Sequence, residues 1–415
     1  MIGKIKYHSL LMSMLAASAV CFTSCEDEDN EVKLGNWVDS RKEFPGVARG
    51  SAVCFTIDNV AYVGTGANTD KTEERQRHRD FYSCHVTVSE SDWLQQRQQY
   101  ADYGKVQVPM AWSAKWERTA NGVSSMPDEA PARNGAVAFA INGKGYVGLG
   151  YDGTNYLKDF WEFTPGEDPD PSQYPSLPDT LKSKFPGSKT GRWRRVADYP
   201  GDSCRYAVAF VIDNIAYVGT GQDYDDNILS DFYKFDGKSW SVINSIGVGR
   251  SQATAFSYNG YGYVFGGVSS DVVDAFSRYD PKKDLWEDLH STSNRTDFEF
   301  DDEYVDGCLT TYGCTSFVVQ NYGITKAYVA TGNKYNTGGR YCWEYDFDGD
   351  YWIQKTNFEG MQRKLAVSFV LNFGDLQIPF VTTGCANEIS VAASGGLCYK
   401  DTWLLNPYEY PEEKD

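Results

Sequence analysis

Short segments in which apolar and polar residues alternate recur along the whole chain. Six of them end near Phe55, Phe139, Phe210, Phe256, Phe317 and Phe369, and a period of two predicts a buried β-strand at each. A second apolar run follows every one and closes on glycine. These runs are Tyr62-Val63-Gly64-Thr65-Gly66, Tyr146-Val147-Gly148-Leu149-Gly150, Tyr217-Val218-Gly219-Thr220-Gly221, Tyr263-Val264-Phe265-Gly266-Gly267, Tyr328-Val329-Ala330-Thr331-Gly332 and Phe380-Val381-Thr382-Thr383-Gly384. An aromatic third strand comes next, in Asp80-Phe81-Tyr82, Asp159-Phe160-Trp161, Asp231-Phe232-Tyr233, Phe276 to Tyr279, Trp343-Glu344-Tyr345 and Asp401-Thr402-Trp403. Trp116, Trp193, Trp240, Trp286 and Trp352 then open a fourth.

Five tryptophans serve six repeats, and Trp37, just ahead of the first repeat, has the form of the sixth. The N-terminal strand is therefore expected to complete the last blade. Pairing the two ends of the chain leaves no open edge between first and last blades. Unequal repeat lengths fit this scheme, because insertions fall in loops and spare the four-strand unit.

Arg49, Arg133, Arg205, Arg250 and Arg363 open five of the six cycles, and Thr311 holds the place in the fifth. An arginine ahead of the first strand, glycine ending the second, an aromatic third and a tryptophan in the fourth resemble the kelch repeat. The resemblance implies an all-β, six-bladed kelch-type β-propeller over residues 36–405, followed by a tail at 406–415. Only the fourth repeat carries a full Gly266-Gly267 pair. Kelch propellers include enzymes and pure binding proteins, so the fold leaves function open.

Residues 1–24 have the parts of an export signal: Lys4 and Lys6, an apolar core from Leu10 to Phe22, and small residues before a cysteine. The core is short for a membrane span. Cys25 looks like a bacterial lipoprotein acylation site, with Cys21 the competing position behind the larger Val20. The acidic run from Glu26 to Asp29 resembles the tag of surface-exported lipoproteins of the Bacteroides group, and also reads as a solvated tether over 25–35. Outer-membrane anchoring through lipid, with cell-surface exposure, is the expectation. A tether of about ten residues reaches at most roughly 35–40 Å, which favours partners in the same membrane.

The formal charge of −18 becomes about −20 once the two signal lysines are removed. Such a surface repels phosphate backbones, so nucleic acid is excluded as a partner. Eight cysteines follow Cys25, and an even number in an exported chain permits disulfides. Cys385 with Cys398, and Cys308 with Cys314, are the local candidates. Cys54 and Cys204 read equally well as free, buried small residues. Four histidines and no Cys-x-x-Cys spacing argue against zinc, and no metal or cofactor is expected. The same shortage speaks against a copper oxidase resembling galactose oxidase, which requires two histidines on the metal. The acidic loop Asp297–Tyr304 lacks calcium-loop spacing.

In a propeller the loops ahead of the innermost strands gather at one mouth of the channel. The five arginines are thus expected to form a cationic ring there, suited to a carboxylate, sulfate or uronic acid. The charged loop from Gly66 to Asp80 and the loop from Gly384 to Lys400 should share that face. Asp80, Asp159, Asp231 and Asp401 recur at one repeat position and read as scaffold. A short capped helix is expected near Ser89–Leu94, and an exposed loop over Pro165–Pro186.

With no nucleophile, cofactor loop or metal cluster evident, the leading expectation is a non-enzymatic surface module that binds glycan or an outer-membrane protein. On that expectation, Arg133→Ala with Arg250→Ala should abolish glycan binding and leave the melting temperature nearly unchanged. The alternative resembles the secreted sialic acid mutarotases, six-bladed kelch propellers. Their reaction needs only a general acid and base near an anion-binding arginine.

Overall fold

The computed structural model describes residues 33–68, 76–88, 112–117, 125–166, 191–289, 311–334, 337–386 and 397–408. Strand β1 (Asn36–Asp39) precedes the first full blade, formed by β2 (Val53–Ile57), β3 (Val60–Gly64), β4 (Phe81–Val88) and β5 (Trp112–Glu117). Blade two holds β6 (Val137–Ile141), β7 (Lys144–Gly148), β8 (Phe160–Thr164) and β9 (Arg192–Val196). Blade three holds β10 (Val208–Ile212), β11 (Ile215–Gly219), β12 (Phe232–Phe235) and β13 (Trp240–Ile243). Blade four runs through β14 (Thr254–Tyr258), β15 (Tyr261–Phe265), β16 (Phe276–Asp280) and β17 (Leu285–Asp288). Blade five takes β18 (Thr315–Asn321) and β19 (Ile324–Ala330), a small hairpin of β20 (Asn333–Lys334) and β21 (Thr337–Gly338), then β22 (Cys342–Asp346) and β23 (Tyr351–Lys355). Blade six is β24 (Val367–Phe373), β25 (Leu376–Thr382) and β26 (Thr402–Asn406), with β1 as its outer strand.

Ring closure is as expected: β1 lies antiparallel to β26, with Trp37 opposite Leu405. The seam between first and last blades is a continuous core in which Phe44, Val63 and Cys84 pack with Phe369, Phe380 and Leu404. Burial of such side chains contributes roughly 1.5–3 kcal/mol each. Fourth-strand tryptophans fasten blades together, the indoles of Trp37, Trp240 and Trp286 donating to the carbonyls of Thr356, Ala197 and Asn244 in the preceding blade.

The recurring Phe and Tyr of the first two strands have one cause. They sit directly across from each other and stack, as in Phe55–Tyr62 and Phe210–Tyr217, with ring centroids 5.3 and 5.2 Å apart. The fourth blade repeats the pair with Phe256–Tyr263 and the sixth with Phe369–Phe380. The residue just ahead of each innermost strand is small, and Ala52, Ala136, Ala207, Ala253, Cys314 and Ala366 line the channel.

Candidate functional site

Arg49, Arg133, Arg250 and Arg363 are wholly buried, which corrects the expectation of a ligand-facing ring. In blade two the Arg133 guanidinium grips Asp159 with both ends, at 2.8 and 2.7 Å, and donates from Nη1 to the Leu149 carbonyl. Arg49 holds Asp80 and the Thr65 carbonyl in the same way, and Arg363 holds Asp401 and the Thr383 carbonyl. Thr65, Leu149 and Thr383 have φ of 56°, 59° and 63°, a left-handed backbone disfavoured for side-chain-bearing residues. The repeat arginine therefore pins a strained turn.

Burial by itself would raise the Asp80, Asp159 and Asp401 carboxyls. The hydrogen bonds and charge of the facing arginine outweigh it and hold all three below the ordinary carboxylate range. Blade four varies the device: Arg250 donates to Ser277, which donates to Asp288, and burial lowers the arginine's pKa to about 10.

Arg205 is a second correction, because it does not occupy the repeat position. Arg49, Arg133, Arg250, Thr311 and Arg363 each stand four residues before the first strand of their blade, and in blade three that place belongs to Cys204. Backbone pairing agrees. Gly66, Gly221, Gly267, Gly332 and Gly384 donate to the carbonyls of Arg133, Arg250, Thr311, Arg363 and Arg49, whereas Gly150 donates to Cys204. Arg205 stands one residue later, level with Gly50, Asn134, Ser251, Tyr312 and Lys364, whose bridges run to the residue after the glycine strand.

The next position builds the floor of the mouth. Ser51, Gly135, Tyr206, Gln252, Gly313 and Leu365 form a closed circle of backbone hydrogen bonds. Ser51 N–H donates to Leu365, Gly135 to Ser51, Tyr206 to Gly135, Gln252 to Tyr206, Gly313 to Gln252 and Leu365 to Gly313, at 2.7–3.2 Å. All six have φ between 54° and 64°. For Tyr206 and Leu365 that backbone is costly, on the order of 1–2 kcal/mol, and the circle holds it in place. A Cβ on Gly135 would lie 3.0 Å from the Tyr206 ring, so glycine there leaves room for the tyrosine.

Above this floor lies a cavity of about 200 Å³ lined by Arg77, Arg205 and Lys364, with Tyr151, Tyr206, Gln252 and Ser51. It is a concentration of positive charge on a protein of net charge −18, and its described lining includes no carboxylate. The Arg205 guanidinium lies 5.1 Å from the Tyr206 ring centre, 5.3 Å from Tyr156 and 5.8 Å from Tyr151, and Arg77 covers Tyr151 at 4.6 Å. Arg205 Nη2 donates to the neutral Gln222 amide at 3.2 Å, while Arg77 Nε donates to Asn134. Arg205 Nε, Ser51 Oγ and Gln252 Oε1 are buried without a hydrogen-bond partner among the described residues. Donor, hydroxyl and acceptor are thus left for a ligand or water.

His78, next to Arg77, is outside this lining. Burial, then the charge of Arg49, lowers its pKa to about 4 against the opposing pull of Asp80, so the imidazole is neutral at pH 7.

Cys385 joins the cavity wall and is bonded to Cys398, as the sequence allows. Cys54, Cys84, Cys204, Cys314 and Cys342 are free. Asp80, Asp159 and Asp401 are scaffold as expected, whereas Asp231, with Cys204 in the arginine's place, is exposed. Among the described residues no group of three or more His, Cys, Asp or Glu is placed to hold a metal. Cys25, the signal and tether before Lys33, Cys308, His290, the Ser89–Leu94 segment, the acidic loop 297–304 and residues 167–190 lie outside the described residues.

No protein-family model matches the chain, and no curated protein matches it in sequence. Among solved structures the chain is similar to "Structure of YjhT", at 14% identity and a TM-score of 0.55, covering 88% of this chain and 96% of that one. The likeness is one of fold. The expectation of a non-enzymatic binding module resting on the arginine ring is corrected by the geometry: four of its five arginines are buried and occupied within their blades.

Proposed function

We propose that the chain is a sugar mutarotase or epimerase acting on an acidic sugar at the channel mouth. The observation that carries this reading is the cation-lined cavity with the unpartnered Arg205 Nε beside the Tyr151 and Tyr206 rings. A guanidinium suits a planar carboxylate, and tyrosine faces suit a sugar ring. Ser51 and Gln252 offer the partners that sugar hydroxyls require. At about 200 Å³ the cavity is smaller than the roughly 300–1,000 Å³ usual for drug-sized ligands, which favours a single sugar residue.

Opening a cyclic hemiacetal breaks one C–O bond and moves two protons, with no need for a metal or cofactor. The resemblance to sialic acid mutarotases makes a sialic acid the first substrate to test. Interconversion of its anomers, followed by NMR at neutral pH, should accelerate with the purified protein. An unchanged buffer rate for sialic and uronic acids would overturn the reading.

The kelch-like repeat and the signal-like N-terminus support a further element of the proposal: export and lipidation at Cys25, with the propeller held at the outer membrane, probing acidic sugars at the cell surface. Incorporation of a labelled fatty acid into the wild-type chain, and none into Cys25→Ser, is the expected outcome.

A further inference from the structure

We infer that Tyr206 is the proton donor of this reaction, an assignment that rests on the mutarotase reading. The described lining of the cavity holds no carboxylate or imidazole, which leaves a phenol or Lys364, and the Lys364 ammonium lies over the Tyr312 ring at 5.2 Å. Two tyrosines line it. The Tyr151 hydroxyl donates to the Gly153 carbonyl at 2.6 Å, and its proton is engaged. The Tyr206 hydroxyl makes no hydrogen bond among the described residues, and its ring lies beside the Arg205 guanidinium.

Three features fix Tyr206 in place. Its N–H donates to Gly135 and its carbonyl accepts from Gln252, which holds the left-handed backbone at φ 59°. Gly135 leaves space for its ring.

In the step, the Tyr206 phenol gives its proton to the ring oxygen as the bond from that oxygen to the anomeric carbon breaks. The anomeric hydroxyl becomes the carbonyl and releases its proton to water. The Arg205 guanidinium lies 5.1 Å from the centre of the ring that carries the phenolate. On closure the former ring oxygen attacks either face of the carbonyl and returns its proton to the phenolate, and the carbonyl oxygen takes a proton from water. Atoms and charge balance, and the net change is anomeric inversion.

The test uses N-acetylneuraminic acid with the full chain and its Tyr206→Phe variant. The expected result is a kcat lower by about 100-fold, in the range of lost general acid catalysis, with KM within about threefold of the wild type. A solvent deuterium isotope effect on kcat should be present in the wild type and absent from the variant. Tyr206→His, which restores a proton donor, should recover part of kcat. Wild-type kcat in Tyr206→Phe would overturn the assignment and leave the mutarotase reading standing. A wild-type protein without activity would overturn both. Loss of folding is distinguished by the melting temperature, and in that case an unchanged kcat in Tyr206→His relative to a Tyr206→Leu control overturns the assignment.

Discussion

Blades two and three present the same repeat with arginine one residue apart, and the shift separates scaffold from site. Arg133 is fully buried, doubly bonded to Asp159, and supports the left-handed Leu149. Arg205 reaches the channel mouth, lies among three tyrosine rings, and keeps one buried nitrogen without a partner. Blade three fills the vacated place with Cys204, whose thiol points to the Thr220 carbonyl. A repeat tolerates this loss because its aromatic and backbone contacts remain. What the blade gives up in an ion pair, the mouth gains as a cation.

The largest expected effect separates the two arginines by readout. Arg133→Ala leaves the Asp159 carboxylate buried without its partner, and breaking such a pair typically costs about 3–5 kcal/mol of stability. Chemical denaturation should record that loss. Arg205→Ala should leave the denaturation midpoint nearly unchanged and weaken binding of an acidic sugar by about 10–100-fold, the worth of a hydrogen bond to a charged group. Calorimetric titration checks the second arm. Equal affinity in Arg205→Ala would remove it from the site.

Acid should act on the scaffold arginine's blade and spare the other. The folded Asp159 pKa lies below its unfolded value, so the pair contributes fully above the ordinary carboxyl pKa near 3.8 and is lost as pH falls through the folded value. Asp80 and Asp401 have the same sign. His78 adds to it: its pKa is lowered from 6.5 to about 4, so its contribution is complete above 6.5 and declines as pH falls toward 4. Stability measured from pH 7 to 3 should fall throughout, most steeply below about 4. Arg133→Ala should flatten the lower part of that curve, and Arg205→Ala should not change its shape.

The propeller was legible because its signals are local and repeated. Alternation, glycine strand ends and fourth-strand tryptophans each mark a strand, and Trp37 alone indicates how the ring closes. The mouth was less legible. Aligning arginines by type placed Arg205 with Arg133, although the four-residue spacing to the first strand, present in the sequence, assigns the place to Cys204. Tyr206 and Gln252 carry no motif. Their role comes from a circle of backbone bonds spanning six blades, which local sequence does not encode. The co-occurrence of Arg with a later Asp in blades one, two and six was a usable sign of ion pairing. Blade five, with Thr311 and Tyr341 at those two places, lacks both members.

The smallest expected effect is the sharpest check on that register. Asp159 and Asp231 hold the same repeat position, and the backbone carbonyl of each accepts from the left-handed residue of its blade, Leu149 or Thr220. Only their side chains differ in circumstance, one gripped by arginine and one exposed. Asp231→Asn should therefore change stability by less than about 0.5 kcal/mol, as for an exposed substitution away from special features. Asp159→Asn removes the charge facing a buried guanidinium and should cost several times more, on the order of 2–4 kcal/mol. If Asp231→Asn proved as damaging as Asp159→Asn, Arg205 would have to serve blade three as Arg133 serves blade two, and the mouth would lose one of its three cations. A near-neutral Asp231→Asn leaves Arg205 with no scaffold duty to perform, and its charge available to a ligand.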